Sequence, residues 1–397
     1  MRNADRSLVG RFFGYHSIMM ILIRRLIVMT TCLIPLSALV MFGAIAAGRL
    51  VIITAQIAYI KQVRAETGVY LIDIDRKMQV NMLPLDDRHS AGVIRKTVVY
   101  SPRNPLAWSP DGQRLAYLST ANEFSLNVVN LSRQIQVLTT TPHLLEGLDW
   151  SPDGSSVTYV DRKDAAAGDL FTVSVRADEL TQVEPQVFYQ TASDEQQPVW
   201  SPDGTHVAFM SGTILYLLTL EQPDMKPLPL TEANLLPIAY AWSPDSSRIA
   251  LAGNHLTNSV NGVIYTDLYL IDLATGHTTA LGIRNPSGTL YDVSWSPDGK
   301  KVAFVSNHVI TQQALFVWDL DELYPNMLTD QRLDNVTSPN WSPDSSKLIF
   351  SAFNRRRATV DLYMVDSDGA NLHRIPQVSG YIWSPRWRPR PYPRLGQ

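Results

Sequence analysis

Six aspartates recur at one place in a repeated sequence, and they are the most obvious candidates for chemistry. Each follows Trp-Ser-Pro, and they are Asp111, Asp153, Asp203, Asp245, Asp298 and Asp344. Carboxylates act as general acids and bases and ligate calcium. Groups at the same position of successive repeats lie on a ring, so these carboxylates do not converge on one reacting atom. We therefore expect them to stabilise turns, and we predict no catalytic residue and no metal ligand among them.

The other candidates for catalysis or metal binding do not complete a motif. The segment 366–371, Asp-Ser-Asp-Gly-Ala-Asn, lacks the twelve-residue spacing and the terminal Glu of an EF-hand. The eight histidines are scattered, and the sequence contains no His-Glu-x-x-His, no Gly-x-Ser-x-Gly and no phosphate-binding glycine-rich loop. We therefore expect no cofactor. A metal site assembled from separate repeats around a central axis is the alternative.

Composition and charge exclude further classes of protein. One cysteine in 397 residues excludes a disulfide framework and a cysteine-rich zinc site. The net charge of −3 is unevenly divided, because residues 1–65 hold eight basic residues and one acidic residue, whereas residues 66–397 carry −10. An acidic surface does not suit phosphate contacts, so nucleic acid is not expected as a partner.

The N-terminal region is typical of a membrane anchor. Residues 26–48 are 23 consecutive residues without a charge, and a helix of that length can cross a hydrocarbon layer of about 30 Å. The arginines before it predict a basic cytoplasmic segment at 1–25, with the linker 49–65 and all later residues periplasmic or extracellular. Cleavage near Ala-Ile-Ala at 44–46, which would secrete the protein, is the alternative.

The rest of the chain repeats a unit that begins around a tryptophan. Trp-Ser-Pro occurs seven times, at intervals of 42 to 53 residues, with its tryptophans at Trp108, Trp150, Trp200, Trp242, Trp295, Trp341 and Trp383. Each unit is a first strand ending in tryptophan, a Ser-Pro-Asp-Gly turn, an alternating second strand and two further strands. Four short strands in each unit are the pattern of a propeller blade. We expect the tryptophans to pack between blades.

Incomplete units at both ends of the repeat indicate how the ring closes. Residues 68–83 match a third and a fourth strand, and residues 381–385 match a first strand. One blade built from both ends leaves no open sheet edge. The sequence thus predicts an all-β, seven-bladed β-propeller of four-stranded antiparallel blades over 66–385, preceded by one transmembrane helix and followed by a basic, proline-rich tail at 386–397. Six blades is the alternative, and 96–100 is the candidate second strand of the composite blade.

The repeated block resembles the TolB-like propeller repeat, also called the WD40-like PD40 repeat. The matching residues are Trp-Ser-Pro-Asp-Gly with its alternating strand, followed by Asp-Leu-Tyr-x-x-Asp, and they recur over roughly 66–385. The resemblance implies an extracytoplasmic propeller that binds other proteins or small ligands. Two units place Ser246 and Ser345 where the others have glycine, and the seventh unit lacks the aspartate.

These observations predict a membrane-anchored, non-catalytic propeller that binds a partner protein or a small ligand. The turns between first and second strands are short and nearly identical and define the turn face. The second-to-third and fourth-to-first connections define the opposite, variable loop face, where recognition is expected. The candidate contacts there are Asn254, His255, Asn258, Asn261, Arg355, Arg356 and Arg357. A propeller lyase or hydrolase with a central-pocket active site, and a sensor or accessory subunit of a separate enzyme, are the alternatives.

Overall fold

The computed structural model describes most of the repeat region, strand by strand. The described residues are 55–63, 66–83, 97–98, 104–120, 123–164, 167–175, 183–220, 226–260, 263–283, 290–307, 313–329, 332–376, 378 and 380–389. The regular elements within them are strands, and these form six sheets. Five of the sheets are one blade each, and the sixth comprises two blades joined by a single parallel pair, Val360 with Tyr381. The first three strands of the chain belong to the seventh blade and are β1 (Ile57–Val63), β2 (Glu66–Asp73) and β3 (Met78–Asn81).

Blades 1 to 3 follow along the chain. In blade 1 the first strand is in two pieces, β4 and β5, which pair with successive parts of β6. Blade 1 contains β4 (Thr97–Val98), β5 (Leu106–Trp108), β6 (Arg114–Thr120), β7 (Phe124–Asn130) and β8 (Ile135–Thr141). Blade 2 contains β9 (Leu144–Trp150), β10 (Ser156–Asp164), β11 (Ala167–Ser174) and β12 (Gln186–Tyr189). Blade 3 contains β13 (Glu195–Trp200), β14 (His206–Ser211), β15 (Ile214–Thr219) and β16 (Leu228–Pro229).

Blades 4 to 6 have the same antiparallel order of four strands. Blade 4 contains β17 (Leu235–Trp242), β18 (Arg248–Val260), β19 (Val263–Asp272) and β20 (Thr278–Ala280). Blade 5 contains β21 (Leu290–Trp295), β22 (Lys301–Ser306), β23 (Ala314–Asp319) and β24 (Asn326–Met327). Blade 6 contains β25 (Leu333–Trp341), β26 (Lys347–Asn354), β27 (Thr359–Asp366) and β28 (His373–Arg374).

The seventh blade joins the two ends of the described chain. Strand β29 (Tyr381–Trp387) pairs antiparallel with β1, which pairs with β2, and β2 pairs with β3. The second strand is therefore β1, from the segment predicted to be a linker, and not 96–100, part of which pairs in blade 1. The sequence concealed β1 because Ile57, Ala58, Tyr59 and Ile60 are all fully buried and so do not alternate with polar residues.

The register of the seventh blade identifies a different repeat tryptophan from the expected one. In blade 6, Trp341 pairs with the second residue of β26, and the next N–H, that of Ser342, donates to the carbonyl of Lys347. In the seventh blade Trp387 pairs with the first residue of β1, and Arg388 N–H donates to the carbonyl of Gln56. Trp387 is thus the repeat tryptophan, and Trp383 lies four residues before it. Strand β29 includes the first two residues of the predicted tail.

The hydrophobic core is divided into layers between neighbouring blades. In the layer between blades 1 and 2, Leu118 and Val128 pack with Val157 and Phe171. Equivalent layers separate the following blades, because alternate residues of every second and third strand face opposite neighbours. Strand β29 also contacts β5 of the first blade, so the ring of first strands is closed. This closure positions all first strands around one axis.

The predicted transmembrane helix and the single-pass localisation require correction. None of the described residues forms a helix long and apolar enough to cross a membrane. The fold-class prediction is therefore wrong in adding such a helix to the propeller, and the localisation that depended on it is wrong for the same reason. The predicted span, 26–48, lies outside the described residues.

Candidate functional site

The repeat tryptophans connect each blade to the one before it. Trp295 Nε1–H, for example, donates to the carbonyl of Ala241 in the preceding first strand at 3.1 Å. Six indoles make such a bond to the preceding blade at 3.0–3.3 Å, those of Trp108, Trp150, Trp200, Trp242, Trp295 and Trp341. These side chains are thereby engaged inside the ring and do not form an exposed stacking surface.

The repeat aspartates are engaged within their own turns. Asp245 Oδ1 accepts from the hydroxyl of Ser243 at 2.6 Å and from the N–H of Ser247 at 3.1 Å. These hydrogen bonds, the serine hydroxyl first, lower the pKa of Asp245 to about 2. The same pair of bonds recurs at the other five, Asp111, Asp153, Asp203, Asp298 and Asp344. Each carboxylate is therefore occupied in closing a turn.

The two serines that replace glycine connect neighbouring turns. Ser246 and Ser345 have φ angles of 60°, the left-handed region in which glycine costs least. Their hydroxyls accept the N–H of Asp203 and of Asp298 in the preceding blade, each at 3.0 Å. At such a position Gly204 instead faces Pro152. Serine is less favourable than glycine at this backbone conformation, but it provides a hydrogen bond between blades.

The candidate contacts on the loop face fall on two hairpins. Asn254 and His255 are not in a loop but in the ladder between β18 and β19, and Asn254 Oδ1 accepts from Thr266 Oγ1 at 2.6 Å. Asn258 lies in the same strand β18, and Asn261 lies outside the described residues. The three arginines form the exposed turn between β26 and β27, namely Arg355, Arg356 and Arg357.

Arg355 is the one of these three whose side chain has a described partner. Its Nη2 lies 2.8 Å from Asp334 Oδ2, and its side chain is 56% exposed. The backbone N–H groups of Arg356 and Arg357 donate to Asn354 Oδ1, which fixes the turn. None of the predicted contacts lines the cavity that is described next.

A polar cavity at the first strands is the site that the sequence did not predict. Its volume is about 230 Å³. It is formed by the first strands of blades 5, 6 and 7 together with a residue two positions before β5. Its lining consists of Asn104, Asp292, Val293, Ser294, Ser338, Pro339, Asn340, Ser384 and Arg386. Most of the lining comes from equivalent positions of the repeat, but the residue types there differ from blade to blade, so the cavity is not symmetric.

Bulges in the first strands shape this cavity. Three residues before the repeat tryptophan, Asp292, Ser338 and Ser384 have φ angles of 50–55°, and the pairing register shifts at each of them. A bulge adds an unpaired residue and bends its strand. The extra residues therefore leave the ladder and line the cavity.

Hydrogen bonds across neighbouring blades hold the polar side chains of the cavity in place. Asp292 Oδ2 accepts the N–H of Ser338 at 2.9 Å, and Asn340 Oδ1 accepts the N–H of Trp387 at 2.7 Å. Arg386 Nη2–H donates to Asn104 Oδ1 at 2.7 Å. Each contact joins one blade to the next, so these side chains serve the ring as well as the cavity.

Three ionisable groups interact electrostatically at this place. Burial raises the pKa of Asp292 and lowers the pKa of Arg386, while the attraction between them opposes both changes. Burial also raises the pKa of Asp149 to about 7, against the N–H groups of Trp200 and Trp150 and the charge of Arg386. A carboxyl that titrates near neutrality beside an arginine is a feature of functional sites, although structural networks share it.

Metal binding finds no support in the described part of the chain. No group of three or more His, Cys, Asp or Glu residues there could hold a metal ion. The sequence contained one signal for the cavity: Asp149 precedes a repeat tryptophan where other units have Ala107, Val199 or Ala241. Arg386 occupies the same position in the seventh unit, but only the structural register reveals it.

Comparison with known proteins supports the fold. No family model matches the chain. An uncharacterized protein of Agrobacterium fabrum is 27% identical over 208 residues, which are 51% of this chain and 66% of that protein. TolB from Acinetobacter baumannii is 18% identical with a TM-score of 0.50, covering 84% of this chain and 82% of TolB. Puromycin hydrolase is 14% identical with a TM-score of 0.61, covering 82% of this chain and 54% of the hydrolase.

The sheets and these likenesses together define the class as an all-β propeller. Within that class the structural neighbours include TolB, so the fold is that of a TolB-like β-propeller. Identities this low show the fold alone. Because a hydrolase has a similar propeller, the fold does not decide between binding and catalysis.

Proposed function

We propose that this chain is a non-catalytic propeller whose loop face binds another protein or a small ligand. The observation that carries the proposal is the length of the hairpin in blade 4. Strands β18 and β19 have 13 and 10 residues, whereas β22 and β23 in blade 5 have 6 each. The hairpin therefore extends well beyond its neighbour, and it carries Leu256 with 41% of its surface exposed.

The arginine turn supports the same face. It joins a second strand to a third strand, as the blade 4 hairpin does, so both connections lie on the loop face. Three consecutive exposed arginines present positive charge on a domain whose sequence is otherwise acidic. Such a positively charged patch favours an acidic partner, mainly because it raises the rate of association and the specificity.

The occupied carboxylates support a non-catalytic role. A general base needs a free lone pair within reach of the proton that it removes. The turn aspartates accept two or more hydrogen bonds each, within the turns that they close. Replacing these aspartates is therefore expected to lower the stability of the propeller.

The test compares the two faces in one binding experiment. Purified wild-type protein captures partners from a lysate of the source cells, and mass spectrometry quantifies them. Charge reversal of Arg355, Arg356 and Arg357 to Glu should remove the specific partner while stability changes by at most about 0.5 kcal/mol, as expected for surface sites. The matched variant changes Gln113 and Thr205 on the turn face to Glu and should retain the partner. Loss of the partner in the turn-face variant alone would contradict the proposal.

A propeller enzyme is the second candidate, because unlike polar residues do converge in the cavity. An arginine and an aspartate from different blades line it, and Asp149 lies close enough for its charge to affect Arg386. Such convergence is what a central-pocket active site requires. Turnover of a hydrolase or lyase substrate panel that Arg386→Gln abolishes, in a protein that stays folded, would favour this candidate over binding alone.

A further inference from the structure

The central cavity contains opposite charges that do not contact each other. Arg386 comes from β29 of blade 7 and Asp292 from β21 of blade 5, and both line the cavity. The hydrogen bonds of the Arg386 guanidinium go to Asn104 Oδ1 and to the carbonyl of Pro385, not to a carboxylate. Because both groups line the cavity, a ligand inside it has an acidic and a basic side chain within its walls.

Both groups retain binding capacity. A guanidinium has five N–H donors, and the two bonds of Arg386 leave three of them for a ligand. Asp292 uses one carboxylate oxygen for the N–H of Ser338 and keeps the other for a donor in the cavity. An arginine with free donors is suited to a carboxylate, which it can bind through two parallel hydrogen bonds.

These two groups are held in place before a ligand arrives. Asn104 and Pro385 hold the guanidinium, and the N–H of Ser338 holds the carboxylate of Asp292. Binding groups that are already oriented lose little freedom on association. Pro339 and Ser384 are buried, but the other lining residues are partly accessible and Asn104 is exposed, so solvent reaches the cavity.

The distribution of charge selects the kind of ligand. A simple anion is attracted by Arg386 but repelled by Asp292, and a simple cation meets the reverse. A molecule that carries both charges can pair its negative group with Arg386 and its positive group with Asp292. We propose that the central cavity binds a small zwitterion of the α-amino acid type, with its carboxylate on Arg386 and its ammonium group on Asp292.

The lining of the cavity favours members of that class with a short side chain. Its volume of about 230 Å³ has room for a molecule of that size. The lining is mostly serine and asparagine, with Val293 and Pro339 as its apolar side chains. Glycine and alanine fit this description, whereas an amino acid with an aromatic side chain does not. The proposal concerns a different place from the loop face and does not depend on the function proposed above.

The test uses L-alanine and two analogues that each lack one of its charges. Isothermal titration calorimetry measures L-alanine, propionate and ethylamine with wild-type protein. L-alanine should bind saturably, and each analogue should bind at least about 30-fold more weakly, because one buried charge is then unmatched. The same loss is expected for L-alanine with Arg386→Gln.

A change of specificity provides the sharper result. Asp292→Asn should weaken L-alanine at least about 30-fold and at the same time strengthen propionate, since the charge that repels an anion is gone. Asp334→Asn, which removes the partner of Arg355 on the loop face, is the matched control and should change neither affinity.

Three results would overturn the proposal. They are no saturable binding of glycine or L-alanine at millimolar concentrations, equal binding of L-alanine and propionate, and affinities unaffected by Asp292→Asn. If circular dichroism shows that Arg386→Gln does not fold, Asp292→Asn with L-alanine and propionate decides the matter, because that variant keeps the guanidinium and its contacts.

Discussion

Asp149 should make the propeller lose stability as the pH rises from about 4 to about 7. Its pKa is raised from 3.8 to about 7 in the folded protein, first by burial, while in the unfolded chain it returns to its ordinary value. Between about pH 4 and pH 7 the folded state therefore holds a proton that the unfolded state has released. Stability falls with increasing pH wherever the folded state binds more protons, and the loss is complete above pH 7.

The magnitude follows from the separation of the two pKa values. At 1.36 kcal/mol for each pH unit, a rise from 3.8 to about 7 gives an upper limit of about 4 kcal/mol. Part of Asp149 remains accessible to solvent, so water screens part of this effect. We expect about 1–2 kcal/mol of stability to be lost between pH 5 and pH 8.

Replacement by asparagine isolates this contribution. Asn340 already occupies the equivalent position of blade 6, where its Oδ1 accepts the N–H of Trp387, so the amide suits the site. Asp149→Asn should cost about 1 kcal/mol at pH 5 through one weakened hydrogen bond. At pH 8 it should cost less, or stabilise, because the buried charge is gone.

Urea unfolding at pH 5, 6, 7 and 8 measures this difference. Asp153→Asn is the control, because the turn hydrogen bonds, that of Ser151 first, lower the pKa of Asp153, whose contribution is therefore constant above pH 5. Every other residue is the same in both proteins, so the rest of the pH dependence cancels in the difference. Identical pH dependence of wild type and Asp149→Asn, or a greater cost of Asp149→Asn at pH 8 than at pH 5, would refute the reasoning.

Three further substitutions test the contacts between blades by chemical denaturation. Trp295→Ala should cost about 3–5 kcal/mol, the range for large buried truncations, and a cost below 1 kcal/mol would contradict its place between blades. Ser246→Ala should cost about 1–2 kcal/mol, because it keeps the positive φ and loses the bond to Asp203, whereas Ser246→Gly should cost less. Arg388→Ala should cost about 1–2 kcal/mol, since its guanidinium lies 5.4 Å from the ring centre of Trp108, and Arg388→Lys should recover part of that cost.

The repeat made most of the architecture predictable from the sequence. Trp-Ser-Pro-Asp-Gly specifies a strand end and a turn, and the structure has that turn in six blades with the same two bonds to each aspartate. The same pattern also gave a wrong start for the last unit, at the C-terminal end of the repeat. Trp383-Ser-Pro matches the repeat by letters, but Trp387-Arg-Pro matches it by register, so the true seventh unit begins four residues later.

The cavity, by contrast, could not be predicted from the repeat. A repeat is read by what its units share, whereas the cavity is lined by residues in which they differ, such as Asp292, Asn340 and Arg386. Which differences meet depends on the bulges and on the closure of the ring. Strand β1 was concealed in a similar way, because burial on both faces removes the alternation that identifies a strand.

The composite blade has a consequence for biosynthesis. The ribosome makes β29 about 330 residues after the strand that it pairs with, and closing a chain of that length costs about 5 kcal/mol of loop entropy. The edge of β1 therefore stays open while six other blades are translated, and it offers unpaired N–H and C=O groups to any neighbouring chain during that time. Nascent protein should thus depend on chaperone protection until release, and truncation before β29 should yield aggregates.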